Sequence, residues 1–282
     1  MIHVAVLTVV EVARRRFALL AAIGVFALAA MTGWGLHAMR AGIGAHPHAM
    51  GESEARQMAA FMLPFISFLF SFVLAFAAAM SAATMLSAEV ESGVLLPVLA
   101  RPISRSAVVG GKALGLALVV AAFAALYGLV EYSVVFAMTG FVPPHPISAI
   151  GALAGAGIAV MLLTLALASR LQAIASGLVA ILGFGFAWFA GIAGSLAAVY
   201  KNETLVHAAT VAQLILPTDA LWRVSAFALE PAIFVAQLQQ RGAWAGPFFV
   251  TTPPPPAMMA WAVVWAILVL AIAARSFSTR DV

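Results

Sequence analysis

Residues 88–112 read AEVESGVLLPVLARPISRSAVVGGK and interrupt a chain that is otherwise almost entirely apolar. This stretch carries two of the ten acidic residues and three of the fourteen basic residues. It lies between two long apolar runs, so we predict a water-exposed loop that joins two membrane spans. Few other parts of the chain offer as many polar groups. We therefore expect this loop to be the surface that meets a soluble partner.

The composition of the 282 residues requires a membrane. The chain is 65% hydrophobic and 9% charged, and its mean hydropathy is +1.10, whereas soluble domains carry roughly 25% charged residues. Cysteine is absent, which excludes disulfides and thiolate metal sites. The basic residues flank apolar runs and are typical of topology signals, so we expect a lipid environment and no nucleic-acid partner.

Six apolar segments are long enough to cross the bilayer, which takes roughly 20 residues. They cover residues 17–37, 58–87, 110–138, 147–169, 172–199 and 257–274. Between the fifth and the sixth, residues 200–256 hold only a shorter apolar run that Pro217 ends. We predict that they form an outer segment with interfacial or re-entrant helices, and a seventh span is the alternative. The predicted fold class is all-α, with residues 1–282 forming one transmembrane domain.

The distribution of positive charge predicts the orientation. With six spans and a cytoplasmic N-terminus, nine basic residues lie in the cytoplasm and five lie outside, as the positive-inside rule requires. Both termini are therefore predicted to be cytoplasmic, in a multi-pass protein of the cell membrane. Residues 38–57, 140–146 and 201–256 are predicted to lie outside.

The N-terminal residues 2–16 predict a separate interfacial helix. Its apolar side carries Val4, Leu7 and Val10, and its end is strongly basic at residues 14–16. An amphipathic helix with basic residues at its end is typical of the membrane surface. A plain extension of the first span is the alternative.

The common catalytic motifs are missing from the sequence. It contains no HExxH zinc motif and no GxSxG nucleophile elbow, and Gly111-Lys112 is followed by Ala113, so that no Walker A motif is formed. We expect no enzyme activity, no catalytic residue, no metal site and no cofactor in this chain. Its energy must then come from a partner or from an ion gradient.

The pattern within the loop resembles the permease subunits of ABC-2 type transporters. Glu91 and Gly93 precede an apolar stretch, which the RPISR sequence of residues 101–105 follows, and Gly111-Lys112 opens the next span. The chain departs from the family pattern at Val94 and Pro97. The six-span layout, the basic N-terminal helix and the long outer segment also resemble this family.

The resemblance implies a permease driven by a separate cytosolic ATPase, which holds ATP and Mg. It further implies a cytoplasmic coupling helix near residues 94–100, a pair of permeases as homodimer or heterodimer, and export as the direction of transport. The implied ATPase-coupling residues are Glu89, Glu91, Gly93, Leu96, Arg101, Pro102, Arg105 and Lys112. An autonomous gradient-driven transporter or channel and a non-transporting assembly protein are the alternatives.

A second segment, residues 214–223, narrows the resemblance. It reads LILPTDALWR and is similar to a segment of the permease that serves nitrous-oxide-reductase maturation, with Leu216 where that family has Asn. Asp219 and Arg223 in this segment are candidates for a translocation or structural role. Glu131, the acid inside the third span, is a third candidate, either because it has a function there or because it reaches the interface.

Glycines in the predicted fifth span permit close approach of another helix. They are Gly183, Gly185, Gly191 and Gly194. This pattern is compatible both with packing against helices of the same subunit and with packing across a dimer. We predict a dimer whose contact includes the small-residue faces of spans two or five.

Overall fold

The computed structural model describes residues 2–14, 16–42, 51–85, 105–240, 246 and 248–279, and these residues form helices and connecting turns without strands. The helices are α1 (Ile2–Ala13), α2 (Arg16–Arg40), α3 (Glu52–Ala83), α4 (Arg105–Thr139), α5 (Pro146–Ala168), α6 (Ala173–Val199), α7 (Glu203–Ile215), α8 (Thr218–Leu229), α9 (Ala232–Gln240) and α10 (Pro256–Ser278).

Six of these helices are long and apolar enough to cross a membrane, which confirms the predicted number. They are α2, α3, α4, α5, α6 and α10. The helices of the outer segment, α7, α8 and α9, have 13, 12 and 9 residues. A span takes roughly 17–25 residues, so none of the three forms a seventh span.

Several helices extend beyond the apolar segments that predict them. α3 begins at Glu52 rather than near residue 58, and α4 begins at Arg105 rather than near residue 110. Hydropathy marks the part of a helix that suits hydrocarbon, whereas the backbone hydrogen bonds continue through the polar residues at its ends. Both helices are therefore longer than the bilayer core requires.

The N-terminal helix α1 is separate from α2, and it packs along α4. Its buried residues are Ala5, Thr8 and Val12. Gly115 of α4 makes this approach possible, because a Cβ at that position would lie 2.6 Å from the Ala5 carbonyl oxygen. Leu7, on the predicted apolar side, is exposed, and the location of α1 at the membrane surface stays a prediction.

Helices α3 and α5 form the centre of the bundle. In each of them 61% of the most apolar stretch is buried, against 28% in α2 and α6 and 22% in α10. Pro64 lies inside α3 without ending it, as membrane helices tolerate when their neighbours surround the site.

The small residues of α3 face the interior of the subunit. Its alanines at 75, 78, 79 and 82 are buried, whereas the exposed positions of the helix carry the large rings of Phe61, Phe72 and Phe76. Small residues mark the places where two helix backbones approach closely, and here α3 approaches helices of its own chain. The prediction of a dimer contact through a small-residue face of the second span is therefore wrong.

Aromatic side chains connect the central helices. The ring of Phe68 in α3 lies 4.8 Å from Trp188 of α6 and 5.6 Å from Trp222 of α8. Phe70 stacks on Tyr127 of α4 at 4.0 Å. These contacts fix the outer segment and the third span against α3.

Two arginines hold the C-terminal end of α4. Arg40, the last residue of α2, donates a hydrogen bond to the carbonyl oxygen of Met138. Arg56, in the second turn of α3, donates from Nε to the carbonyl oxygen of Thr139 at 3.4 Å. The C-terminal ends of α2 and α4 and the N-terminal end of α3 are thereby joined, at the side of the bundle opposite the C-terminal end of α3.

Candidate functional site

The predicted coupling loop lies mostly outside the described residues. Six of the eight implied coupling residues fall there: Glu89, Glu91, Gly93, Leu96, Arg101 and Pro102. The structure places the other two, Arg105 and Lys112, in the first turns of α4. What it describes of this site is therefore the base of the loop, where α3 ends and α4 begins.

At this base, a buried lysine joins the two helices. Lys112 is 6% exposed, and its Nζ donates a 2.6 Å hydrogen bond to the carbonyl oxygen of Met85. The last carbonyl groups of a helix have no partner within the helix and attract positive charge. Met85 follows the last residue of α3 by two positions, so the ammonium of α4 binds next to the C-terminal end of α3. We call the Lys112–Met85 contact the loop clamp.

Glu131 lies in the interior of the bundle and does not reach the interface. Its exposure is 0%, and neither carboxyl oxygen has a partner at normal hydrogen-bond geometry among the described residues, although the Thr32 side chain of α2 is near enough to interact with it. The neighbouring Tyr132 also has a buried hydroxyl group without a partner there. Burying polar groups without hydrogen bonds is costly, so the interface interpretation of Glu131 is wrong and a functional or conformational reason is favoured.

Asp219 and Arg223 meet on one face of α8, as their spacing of four residues allows. The guanidinium Nε of Arg223 lies 2.7 Å from Oδ2 of Asp219. Gln213 of α7 donates to the same carboxylate oxygen at 2.7 Å. Arg223 also donates from Nη2 to the Gly191 carbonyl oxygen and to Ser195 Oγ of α6, both at 2.8 Å. We call these five residues the outer network.

Asp219 and Gly191 of the outer network are buried, the other three residues are half-buried, and the charges compensate one another. Burial raises the pKa of Asp219, while the positive charge of Arg223 and the hydrogen bonds from Arg223 and Gln213 lower it. An unpaired carboxylate would be strongly unfavourable in this position. The network therefore links α6, α7 and α8 through one ion pair that needs both of its members.

The glycines of α6 pack within the subunit where the outer network lies. A Cβ on Gly191 would overlap the carboxylate of Asp219, and a Cβ on Gly194 would overlap Ala209 of α7. A Cβ on Gly183 would make only ordinary contacts, and a Cβ on Gly185 would meet no atom within 4 Å. Gly191 and Gly194 thus receive neighbours from their own chain, and a dimer contact at Gly191 is excluded.

A cavity of about 540 Å³ opens beside the outer network. Its walls come from the C-terminal half of α6, from α7 and α8, and from residues 249–255 ahead of α10. Arg223 and Gln213 lie in its lining, together with Val206, Phe249 and Met258. The lining of the cavity combines polar groups with apolar side chains.

Comparison with known proteins assigns the family. Residues 17–282 match the family model described as "ABC-2 family transporter protein". The chain belongs to the ABC-2 transporter family. The ABC-2 permease is a multi-pass membrane transport subunit of an ABC transporter and not a catalytic subunit, and membership implies an ATPase partner. No curated protein matches the chain. The resemblance predicted from the loop is confirmed at the level of the family.

Three residues of the permease escaped prediction from the sequence. Gln213 and Ser195 belong to the outer network, although they carry no motif. Glu230 ends α8, is buried, and accepts a 3.1 Å hydrogen bond from the Val250 amide. Burial raises the pKa of Glu230 to about 8, and the hydrogen bond from Val250 opposes this. The one sequence signal for Glu230 is an acid next to a proline in an apolar stretch.

The predicted site residues of the permease lie in separate places. Lys112 is at the base of the loop, Glu131 is eight residues before the end of α4, and Asp219 with Arg223 lies in the outer segment. Only Asp219 and Arg223 are brought together. Among the described residues, no three His, Asp or Glu side chains lie close enough to hold a metal ion.

Proposed function

We propose that this permease is driven by a separate cytosolic ATPase that binds the loop of residues 86–104 and that it exports its substrate across the cell membrane. The observation that carries the proposal is the loop clamp. Because Met85, just before the loop, is bonded to Lys112 within α4, a force on the loop is expected to reach α3 and α4 together.

The packing of the bundle supports this route for the force. α3 lies at the centre and contacts α4, α5 and α6, so a displacement of its C-terminal end reaches most of the bundle. α1 packs on α4 one turn beyond Lys112, at Gly115. Packed helices resist compression, and displacement of one helix moves those packed on it.

We further propose that two permeases act together with two ATPase subunits. The exposed apolar face of α6, which includes Phe186 and Phe189, is open for such a contact. The loop of residues 86–104 is proposed to face the cytoplasm with both termini, on the charge distribution given above. The finer kinship to the permease of nitrous-oxide-reductase maturation rests on residues 214–223 alone.

The test is a charge reversal in the loop, measured with the cognate ATPase. Glu91→Arg is expected to reduce permease-stimulated ATP hydrolysis at least about tenfold, because a reversed charge at a desolvated contact costs several kcal/mol. Glu52→Arg is the matched control, since Glu52 is an exposed acid at the opposite end of α3. Co-purification of the ATPase with Glu91→Arg at wild-type yield and turnover would contradict docking at this loop.

A further inference from the structure

The cavity beside the outer network has the properties of a ligand site. Its volume of about 540 Å³ falls within the range of roughly 300–1,000 Å³ that is usual for small-molecule pockets. α7 and α8 form part of its wall, and residues 249–255 close another side. α6 contributes its C-terminal half, so the cavity lies at the end of the bundle opposite Lys112 and the C-terminal end of α3.

The charged group that the cavity offers is a hydrogen-bond donor. A guanidinium has five N–H groups, and the hydrogen bonds of Arg223 use its Nε and Nη2. Nη1 has no partner among the described residues, while Arg223 lines the cavity. Asp219 is only 3% exposed and accepts two hydrogen bonds on Oδ2. The carboxylate is therefore directed into the protein and the free guanidinium nitrogen remains for an occupant.

Apolar side chains form a large part of the remaining lining, beside Thr210, Thr251 and Thr252. Val206 of α7, Phe249 and Met258 line the cavity together with prolines 253–255. Such a surface favours a hydrocarbon or aromatic body, while an arginine with uncommitted donors favours a carboxylate or a phosphate. An occupant that satisfies both the arginine and the apolar side chains is amphipathic and carries a negative charge at one end.

We propose that this cavity binds a small amphipathic anion, whose carboxylate or phosphate head accepts hydrogen bonds from Arg223 and whose apolar body lies against Phe249 and Met258. The head belongs either to a soluble molecule or to an anionic lipid, and the chemistry of recognition is the same. The site lies at the opposite end of the bundle from Lys112, so the proposal does not depend on ATPase docking.

The test measures binding of phenyl phosphate to the permease alone in nanodiscs of phosphatidylcholine, by saturation-transfer NMR. We expect saturable binding that benzyl alcohol, a neutral molecule with the same ring, does not show. Arg223→Gln is expected to weaken binding at least about tenfold, because hydrogen bonds to charged groups are the stronger class. Arg56→Gln, at an arginine outside the cavity, is the control and should bind as the wild type does.

A second variant separates loss of the site from loss of folding. Thr210→Trp places a large side chain in the cavity from the exposed side of α7 and leaves the Asp219–Arg223 pair intact. Loss of binding in both variants, with Thr210→Trp still folded, supports the site. Equal binding of phenyl phosphate by wild type, Arg223→Gln and Thr210→Trp would overturn it, and so would equal binding of benzyl alcohol.

The two sources of the anion are distinguished by the lipid. Nanodiscs that contain phosphatidylglycerol should weaken the apparent binding of phenyl phosphate if a lipid head group occupies the cavity. Unchanged binding assigns the cavity to a soluble anion. Permease-stimulated ATP hydrolysis is measured on Thr210→Trp as well. If it is normal while phenyl phosphate no longer binds, the ligand site and the coupling loop act separately. Failure of the ligand proposal can then be told from failure of the ATPase proposal.

Discussion

Gly191 leaves the space that the carboxylate of Asp219 occupies. Every other residue type has a Cβ, and a Cβ on Gly191 would overlap this carboxylate. The same glycine accepts a hydrogen bond from Arg223 on its carbonyl oxygen. The fifth span, α6, and the outer-segment helix α8 thus pack closely where Gly191 contacts Asp219 and Arg223.

Gly191→Ala should therefore destabilise the permease, because the added methyl group displaces a buried ion pair. We expect a loss of about 1–3 kcal/mol, as for other overpacked sites, and a lower melting temperature in detergent. Gly185→Ala is the control in the same helix. Its Cβ meets nothing within 4 Å, so it should be neutral or slightly stabilising. Equal melting temperatures for the two variants would contradict the fit between Gly191 and Asp219.

Glu230 should make stability depend on pH. Its pKa is raised from 4.5 to about 8 in the folded protein, so between these values the folded state holds a proton that the unfolded state has lost. Stability contributed by this group is then lost as pH rises from about 5 to about 8, by on the order of 1 kcal/mol per pH unit.

Glu230→Gln keeps an acceptor for the Val250 amide and removes the titration. Melting temperatures at pH 5, 6, 7 and 8 should fall more steeply for the wild type than for this variant. The comparison between the two chains cancels the contribution of the histidines. Parallel curves would show that Glu230 does not titrate in this range.

Lys112→Met should break the loop clamp while leaving the permease in the membrane. The variant retains a long apolar side chain and loses the ammonium that binds next to the C-terminal end of α3. We expect permease-stimulated ATP hydrolysis to fall at least about tenfold, since α3 and α4 no longer move as one. Lys201→Met, at the chain's other lysine, which is exposed, should behave as wild type. If Lys112→Met stimulates ATP hydrolysis as fully as the wild type does, the loop clamp is not needed for coupling.

Glu131→Leu should be neutral or stabilising, because it replaces a fully buried carboxyl group, which has no partner at normal hydrogen-bond geometry, with an apolar side chain of similar size. Replacements of buried charges by hydrophobic residues often stabilise by about 1–4 kcal/mol. The melting temperature and transport are measured on the same preparation. If the variant is stable but does not transport, Glu131 has a function in transport. If the variant is strongly destabilised, the Glu131 carboxyl group has stabilising interactions in the folded protein.

The orientation is open to a direct test because the chain contains no cysteine. Cysteines introduced singly at Ser104 and Tyr200 are treated with an impermeant maleimide on intact cells. Tyr200 is 79% exposed and is predicted to lie outside, so its cysteine should react. The cysteine at Ser104 should react only after the membrane is opened, and labelling of it in intact cells would reverse the topology.

The sequence predicted the parts of the fold that depend on local composition. Six spans follow from hydropathy. Asp219 and Arg223 were predicted only as separate candidates, although their separation by four residues allows the ion pair that the structure shows. The contact of Gly191 with Asp219 joins residues from two helices, and no local pattern encodes which glycine faces a neighbour from its own chain. The loop clamp could not be predicted either. In the sequence, Lys112 has the position of an ordinary topology signal, and only the structure shows that α3 ends beside it.

The length of α4 has a mechanical consequence. Its 35 residues extend about 52 Å, well beyond the ~30 Å of hydrocarbon. A tilt of about 5° around its midpoint shifts each end by about 2 Å in opposite directions, by the same geometry. Hydrogen bonds do not survive such a shift unless both partners move. The helix therefore acts as a lever: when its N-terminal part, which carries Lys112, tilts in one direction, its C-terminal end moves in the other, and Arg40 and Arg56 must move with that end or lose their hydrogen bonds.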